Sequence, residues 1–481
     1  MAKRKTSDSM ELVLEESDAG NWVYKGEGAA NIVLGGYNGS NPHFVGKVIR
    51  IQKAPRSKTQ SATTSVLSVH ENLLWRDIEG ISASSTKEIV GQLYVKNVII
   101  PLLGSEHVDT GMHILVSRQF LEAVENNIFC QRPAWRVDAS KVNPLCDSAL
   151  LISDHSIFPD GIVNVSPYIS VEIKPKCGFL PNSRFIAEAN AVKRTISRFQ
   201  MHQVLKLHQG EISCVSDYDP LDLFSGSIGK INKAIKELFT TPQNNFRIFL
   251  NGSLISEGMA GTIDSTRSVA GGEFEDTLEG IIRADRGFRL NSFLQLVAET
   301  ILISGVLDQL LDAQQLDLID IEGAIHAYYN VISQHCKVCG EWGDSKVSKR
   351  CSPLHSLSLE DSLKIVRDYM IAATAKDCSL MLSFRPKMDE DQMSLHNTVY
   401  LESINQRFDY KAYFIDLDMK PLKKMVHYYE LDQKIVSCYT QKEKMKYEPP
   451  NLMNRNEYEI IDSHFNVAGN SRDESMLSDG P

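Results

Sequence analysis

The chain has 481 residues, 42% hydrophobic and 23% charged, the balance of a soluble globular protein long enough for two or three units of about 150 residues. Its 51 Lys+Arg against 61 Asp+Glu leave a net charge of −10, which argues against wholesale binding to nucleic acid or to an anionic membrane. No apolar run reaches the ~20 residues of a membrane span, the first residues are charged with no apolar stretch behind them, and nine scattered cysteines make no disulfide framework, so a reduced cytoplasmic or nuclear setting without secretion is expected.

Residues 1–9 and 441–481 are polar and lack apolar periodicity, and both ends are expected to be disordered. A first unit over 10–148 reads as short strands at 10–14, 22–24, 31–34 and 44–51, with a helix over 87–100. A polar, proline-bearing stretch at 131–144 separates it from a second unit over 149–440. There the pattern predicts strands at 149–152, 168–173, 246–250, 379–384 and 410–416, and helices over 183–208, 292–314, 319–333, 359–375 and 421–439. The Gly/Ser/Thr-rich segment 252–272 reads as a loop or lid. The outline is α+β, a small β-rich lobe followed by a larger mixed one.

Charge is distributed unevenly. Residues 161–210 carry seven Lys/Arg (Lys174, Lys176, Arg184, Lys193, Arg194, Arg198, Lys206) against Glu172 and Glu188, a local +5 in an acidic chain. Alternation through Ile169–Lys176 predicts one buried strand face, with Glu172, Lys174 and Lys176 on the other and Pro175 ending the ladder. In the next helix Arg194, Arg198, His202 and Lys206 recur every four residues, and Lys420, Lys424 and Tyr428 repeat that spacing after Pro421, a favoured helix starter. One such stripe alone is most simply a solvated helix face. Two stripes plus a lysine-bearing strand end repel one another unless a polyanion fills the gap, and a small, heavily phosphorylated ligand does so.

Between two predicted strands lies Gly26-Glu27-Gly28-Ala29-Ala30-Asn31, whose glycines let backbone amides approach phosphate, with Arg50 about twenty residues on. Strand, glycine loop, strand and cation follow the order of a protein-kinase-like nucleotide lobe, the alternative being an ordinary hairpin turn. There is no GxxxxGK[ST] loop. Asp377, at the end of a helix entering an apolar strand, and Asp416, at the end of a strand, are candidates for the nucleophile-orienting acid and the Mg²⁺ ligand, although each alone also suits a cap or turn.

His326, Cys336-x-x-Cys339 and His355 have the composition of a Cys₂His₂ structural zinc site, with His335 and Cys351 as rival ligands. A redox CxxC is disfavoured because strand–CxxC–helix context is lacking.

These blocks together resemble the plant inositol-pentakisphosphate 2-kinases over nearly all of residues 10–439. The resemblance rests on Gly26-Glu27-Gly28 with Ala30-Asn31, Gly46-Lys47-Val48-Ile49-Arg50, Glu172-Ile173-Lys174-Pro175-Lys176, Pro242-Gln243-Asn244-Asn245-Phe246-Arg247, Ala375-Lys376-Asp377, and Asp416 with Lys420-Pro421-Leu422-Lys423-Lys424. It implies a two-lobed, protein-kinase-like fold with a large inositide-binding C-lobe and a structural zinc. It implies transfer of the ATP γ-phosphate to the 2-hydroxyl of inositol 1,3,4,5,6-pentakisphosphate. Carried over by motif, Asp377, Lys174 and Asp416 are catalytic, Asp416 holding Mg²⁺. Gly26, Gly28, Ala29, Ala30, Asn31, Arg50, Ser153, Asp154, His155, Glu172 and Arg247 bind ATP. Arg136, Lys174, Lys176, Lys206, Asn244, Asn245, Asp377, Lys420, Lys424 and Tyr428 hold the inositide. His326, Cys336, Cys339 and His355 hold Zn²⁺. The family suggests a monomer, and the net charge of −10 argues against nucleic-acid or membrane partners.

The chain departs from the pattern in its Lys3-Arg4-Lys5 extension and in a long gap between Cys339 and His355 that contains Cys351. The rivals are a kinase for another inositol phosphate and a non-catalytic inositide sensor on the same fold. A protein kinase is disfavoured, since neither an HRD…N loop nor a DFG occurs.

Overall fold

Two β-sheets, each backed by its own apolar core, organise the chain. The computed structural model describes residues 12–56, 66–158, 167–256, 274–341, 345–387 and 396–447. The expected disorder at 1–9 and most of the expected loop at 252–272 lie outside the described residues.

The first sheet contains β1 (Val13–Leu14), β2 (Val23–Glu27), β3 (Asn31–Gly35), β4 (Lys47–Pro55), β5 (Met112–Val116), β6 (Ser140–Val142) and β7 (Ser148–Ser153). Its order is β1-β5-β7-β4-β3-β2, with β6 also on β4. In β4 the period-two alternation buries Ile49 and Ile51 beneath the sheet with Leu14, Trp22, Leu34 and Phe120, which puts Arg50 on the opposite face. The second sheet runs β10 (Ser253–Ser256), β9 (Phe246–Leu250), β8 (Ile169–Ile173), β11 (Ser379–Pro386), β13 (Gln406–Ile415), β12 (Asn397–Leu401), all antiparallel. The larger core lies under it, built on Phe246, Phe293, Phe384, Phe408 and Phe414.

Several sequence expectations need correction. Residues 149–152 are a strand, and as part of β7 they pair with β4 and β5 of the first sheet. Trp75, Tyr94, Ile99 and Leu103, expected in the first unit, pack into the larger core. Alternation identifies a strand without saying which sheet it joins. The 183–208 helix is two pieces, a 3₁₀ stretch Glu188–Arg194 and the helix Arg198–His208, because Ser197 leaves the helix and caps the second piece through Gln200 N (3.3 Å). The 292–314 helix divides into Arg289–Ser304 and Val306–Gln314, bent by 66° where Gly305 turns left-handed (φ 63°). The last helix starts at Lys424, after a turn in which Lys424 N donates to Pro421 O (3.0 Å), so Pro421 does not open it. It continues to Tyr447, so residues 441–447 are helical, while 448–481 lie outside the described residues. The 131–144 stretch is not a plain linker, since it holds the helix Ala134–Ala139 and β6. Part of the expected 252–272 loop is β10, paired with β9.

Candidate active site

The site is built at the ends of the second sheet's strands. Pairing of β11 with β13 sets Ser379 opposite Ile415. Asp377, last residue of the helix Leu359–Asp377, and Asp416, first after β13, therefore emerge at the same end of adjacent strands. β8 lies on the other side of β11, with Ile173 opposite Leu380, so Lys174-Pro175-Lys176 leaves the sheet at that end too.

Every backbone group of this exit that the fold uses is tied. Lys174 N donates to Asn245 O (2.9 Å), the buried Tyr218 hydroxyl donates to Pro175 O (2.8 Å), and Lys176 is left-handed (φ 62°). The strand thus ends at Ile173, and strict alternation does not carry Lys174 and Lys176 as expected. Both lysines nonetheless face Asp377. Burial would raise that carboxyl, but Lys420, its ion-pair partner, together with Lys176 and Lys174, pulls it below the usual range. Lys420 in turn is held charged by Asp377 against its own burial. Tyr428, in the helix Lys424–Tyr447, lies within reach of both, and burial raises its phenol. Lys424 opens that helix, half-buried.

His202 joins this group from the Arg198–His208 helix. Burial, then Arg198, Lys206 and Lys176, push its imidazole down to about 3. His202 thus comes near Lys176 at the predicted strand end, whereas the cations of the predicted stripe have partners of their own, Lys206 lying 3.9 Å from Glu211. Arg198 is ion-paired to Asp432, and Arg194 donates to Ser183 O (3.2 Å). Lys193 is caged among Asp320 (2.5 Å), Asp432 (2.7 Å) and Glu322 (3.3 Å). That cage fastens the 3₁₀ stretch to two helices, and charge counting could not separate it from ligand-facing cations. Asn244 and Asn245 form the turn into β9, where buried Asn245 Oδ1 has no hydrogen-bond partner among the described residues.

Asp416 is left-handed (φ 60°) and exposed. Loss of water to the protein packed around it raises its carboxyl, with Glu172 and Asp418 adding, against Arg50 and Lys174. It is a carboxylate short of positive charge, the environment a divalent cation relieves. Arg50 reaches across from β4 to Asp418 (2.5 Å), a partner not singled out as a site residue in the sequence. Glu172, expected on an open face, is buried, accepts from Ser379 Oγ (2.8 Å) and lies 3.6 Å from Arg247 Nη1.

The glycine turn joins β2 to β3, with Gly28 N donating to Asn31 O (2.9 Å) and Ala29 and Ala30 exposed. Neither Gly26 nor Gly28 has a positive φ, and a Cβ on either would meet nothing in the protein, so what they leave open is the space in front of the turn. Beneath it, buried Glu27 accepts from Lys53 (2.8 Å) and Arg132 (2.8 and 3.0 Å). The sequence showed a Gly-Glu-Gly but no sign of those two partners. Arg136, expected among the inositide ligands, lies beside this turn, Nη1 donating to Gly28 O (3.4 Å) and its guanidinium 4.1 Å from the Trp135 ring. At the other end of the sheet Ser153 N donates to Asp109 Oδ2 (3.0 Å) and Asp154 N to Gly46 O (2.9 Å). The His155 ring stacks on Tyr413 at 4.0 Å, and its burial pushes the imidazole down to about 4.

A second cluster lies elsewhere in the larger unit. His326 Nδ1 is 3.3 Å from Cys336 Sγ and 3.6 Å from Cys339 Sγ, and His355 Nε2 is 3.2 Å from Cys339 Sγ. All four donors lie within 4.8 Å of one another. Those spacings, with two thiols and two imidazoles, fit the corners of a tetrahedral divalent-metal site. Cys351 is not in the set. The helix Asp320–Val331 supplies His326, and Lys337–Glu341 and Ser345–His355 supply Cys339 and His355.

Cations gathered around one depressed and one elevated carboxylate, with Arg50 reaching in from the first sheet, can bind a polyanion beside a second phosphate-bearing ligand and exchange a group between them. The family model for inositol-pentakisphosphate 2-kinase matches residues 24–434. An inositol-pentakisphosphate 2-kinase of Arabidopsis thaliana is 53% identical over 439 residues, covering 90% of this chain and 96% of that protein. One from Oryza sativa subsp. indica is 52% identical over 432 residues, with 90% and 96% covered. One from Danio rerio is 29% identical over 493 residues, with 89% and 95% covered. The chain belongs to the inositol-pentakisphosphate 2-kinase family.

Proposed function

We propose that this protein transfers the γ-phosphoryl group of ATP to the 2-hydroxyl of inositol 1,3,4,5,6-pentakisphosphate, giving inositol hexakisphosphate and ADP. The observation that carries the reading is the placement of Asp377 and Asp416 at the same end of paired strands, with Lys174, Lys176 and Lys420 around Asp377. In this reading the fold is two-lobed and protein-kinase-like, the first sheet forming the nucleotide lobe.

Asp377, held ionised, accepts the hydrogen bond of the 2-hydroxyl and takes its proton as the oxygen attacks the γ-phosphorus, while the bond from phosphorus to the β,γ-bridging oxygen breaks and ADP leaves with that electron pair. Asp416 would hold Mg²⁺, which when bound would neutralise charge on the nucleotide phosphates. Lys174, between the two carboxylates, balances charge on the moving group. Lys176, Lys206, Lys420, Lys424, Tyr428, Asn244 and Asn245 hold the ring phosphates, and Arg136 reaches them from the nucleotide side. Arg50 leaves Asp418 for the ATP phosphates under the glycine turn. Glu172 and Arg247 line the nucleotide side, and Ser153, Asp154 and His155 adjoin the adenine. Zn²⁺ in the His326, Cys336, Cys339 and His355 cluster is structural, since four protein donors leave no open coordination position. The protein acts as a monomer in the cytoplasm or nucleus.

Replacing Asp377 with Ala tests this. Turnover should fall by about 10²-fold or more, with calorimetric binding of the pentakisphosphate retained. A variant that still turns over at the wild-type rate contradicts the role given to Asp377.

A further inference from the structure

The helix Val306–Gln314 ends in a glutamine with no exposed surface. Its amide makes three bonds in three directions. Oε1 accepts from Gly178 N (2.8 Å), and Nε2 donates to Lys176 O (2.8 Å) and to Ala375 O (3.2 Å). The first two clasp the backbone on either side of Cys177. The third reaches the final turn of the helix that ends in Asp377, two residues before it.

That geometry matters because Lys176 is a non-glycine residue in the left-handed region (φ 62°), a conformation that is costly and persists only where surroundings impose it. The neighbours impose it from every side. Tyr218 holds Pro175 O, Asn245 O holds Lys174 N, and Gly178 packs so closely on Phe224 that a Cβ there would come 2.4 Å from the ring. Only the Gln314 side chain bonds both to this segment and to the helix that carries Asp377 among these contacts.

We infer that Gln314 is a positioning residue that fixes Lys176 and Asp377 relative to one another, and so sets the inositide in line for transfer. The inference rests on the function proposed above. A primary amide is required because the site needs one acceptor and two donors at once. A thioether of similar length fills the space and supplies none of them. A carboxylate supplies the acceptor but faces two carbonyl oxygens without a proton.

The test compares wild type, Gln314→Met and Gln314→Glu in steady-state kinetics with Mg-ATP and inositol 1,3,4,5,6-pentakisphosphate, alongside thermal melting. Gln314→Met should lower kcat/KM for the inositide by about tenfold or more through a displaced lysine and acid, with KM for ATP unchanged. Gln314→Glu should recover activity relative to wild type as pH falls from about 8 to about 6, because protonation of a buried carboxyl restores a donor. A folded Gln314→Met enzyme with unaltered inositide kinetics, or one whose loss matches only the fraction unfolded, overturns the inference. If Gln314→Met fails to fold, Gln314→Glu decides, and a ratio to wild type that does not move with pH overturns it. Wild type inactive on the pentakisphosphate in the same assay removes the proposed function itself, whereas active wild type with active variants removes only the role of Gln314.

Discussion

At the scale of single residues the site is a set of opposed pKa shifts with different causes. Asp377 is depressed because Lys420, Lys176 and Lys174 outweigh burial, and Asp416 is raised because loss of water and two neighbouring acids outweigh Arg50 and Lys174. His202 records the same crowding from the basic side. Its folded-state pKa of about 3 lies below the ordinary 6.5, so the imidazole is neutral at pH 7. A depressed base contributes stability that is present above pH 6.5 and is lost as pH falls toward 3, since only the unfolded chain takes up the proton in that window. Replacing His202 with Gln should flatten the acid side of the stability curve, sparing about 1–2 kcal/mol at about pH 5. Chemical unfolding at several pH values checks this, and parallel curves for the two proteins would show that His202 titrates normally.

At the scale of elements, the sequence announced pieces better than their assembly. β9 matches its predicted span, and β3 and β8 lie within a residue of theirs, because short apolar runs bounded by turn residues read directly as strands. Glu172, Lys174 and Lys176 were expected to share one open strand face, but Glu172 is buried and the two lysines follow the end of the strand. A left-handed Lys176 in a segment held by Gln314 and Tyr218 stands where the alternation was expected to continue. Nothing local in the sequence marks Gln314 or Tyr218, because their roles come from contacts far along the chain. The same reason hides Lys193, whose counter-ions come from residues 320, 322 and 432, and Arg132 and Lys53 under the glycine turn.

The Cys/His cluster, by contrast, was legible because two of its donors are three residues apart and all four are chemically distinctive. It joins the helix Asp320–Val331 to the helices Lys337–Glu341 and Ser345–His355. Chelation of the purified protein should release one zinc per chain and lower the melting temperature by about 5 °C or more. Cys336→Ser should do the same and Cys351→Ser should keep the metal. Metal retention by Cys336→Ser, or loss from Cys351→Ser, would show that the ligand set is different.

At the scale of the molecule, contacts run between the two sheets. Lys25 Nζ on β2 donates to Gly252 O (2.6 Å), Arg50 on β4 reaches Asp418, and the His155 ring after β7 stacks on Tyr413 of β13. They link the glycine-turn side to the side carrying the carboxylates, so the arrangement that brings a nucleotide to an inositide is a property of the whole fold. An acidic chain can bind so anionic a ligand where cations gather locally, as Lys174, Lys176 and Lys420 do around Asp377.

The central claim is which oxygen receives the phosphate. Phosphorus-31 and proton NMR of the protein with Mg-ATP and inositol 1,3,4,5,6-pentakisphosphate tests it most directly. A new 2-phosphate resonance growing in step with ADP is the predicted result. Binding of the pentakisphosphate with no new resonance, or phosphate appearing elsewhere, contradicts it.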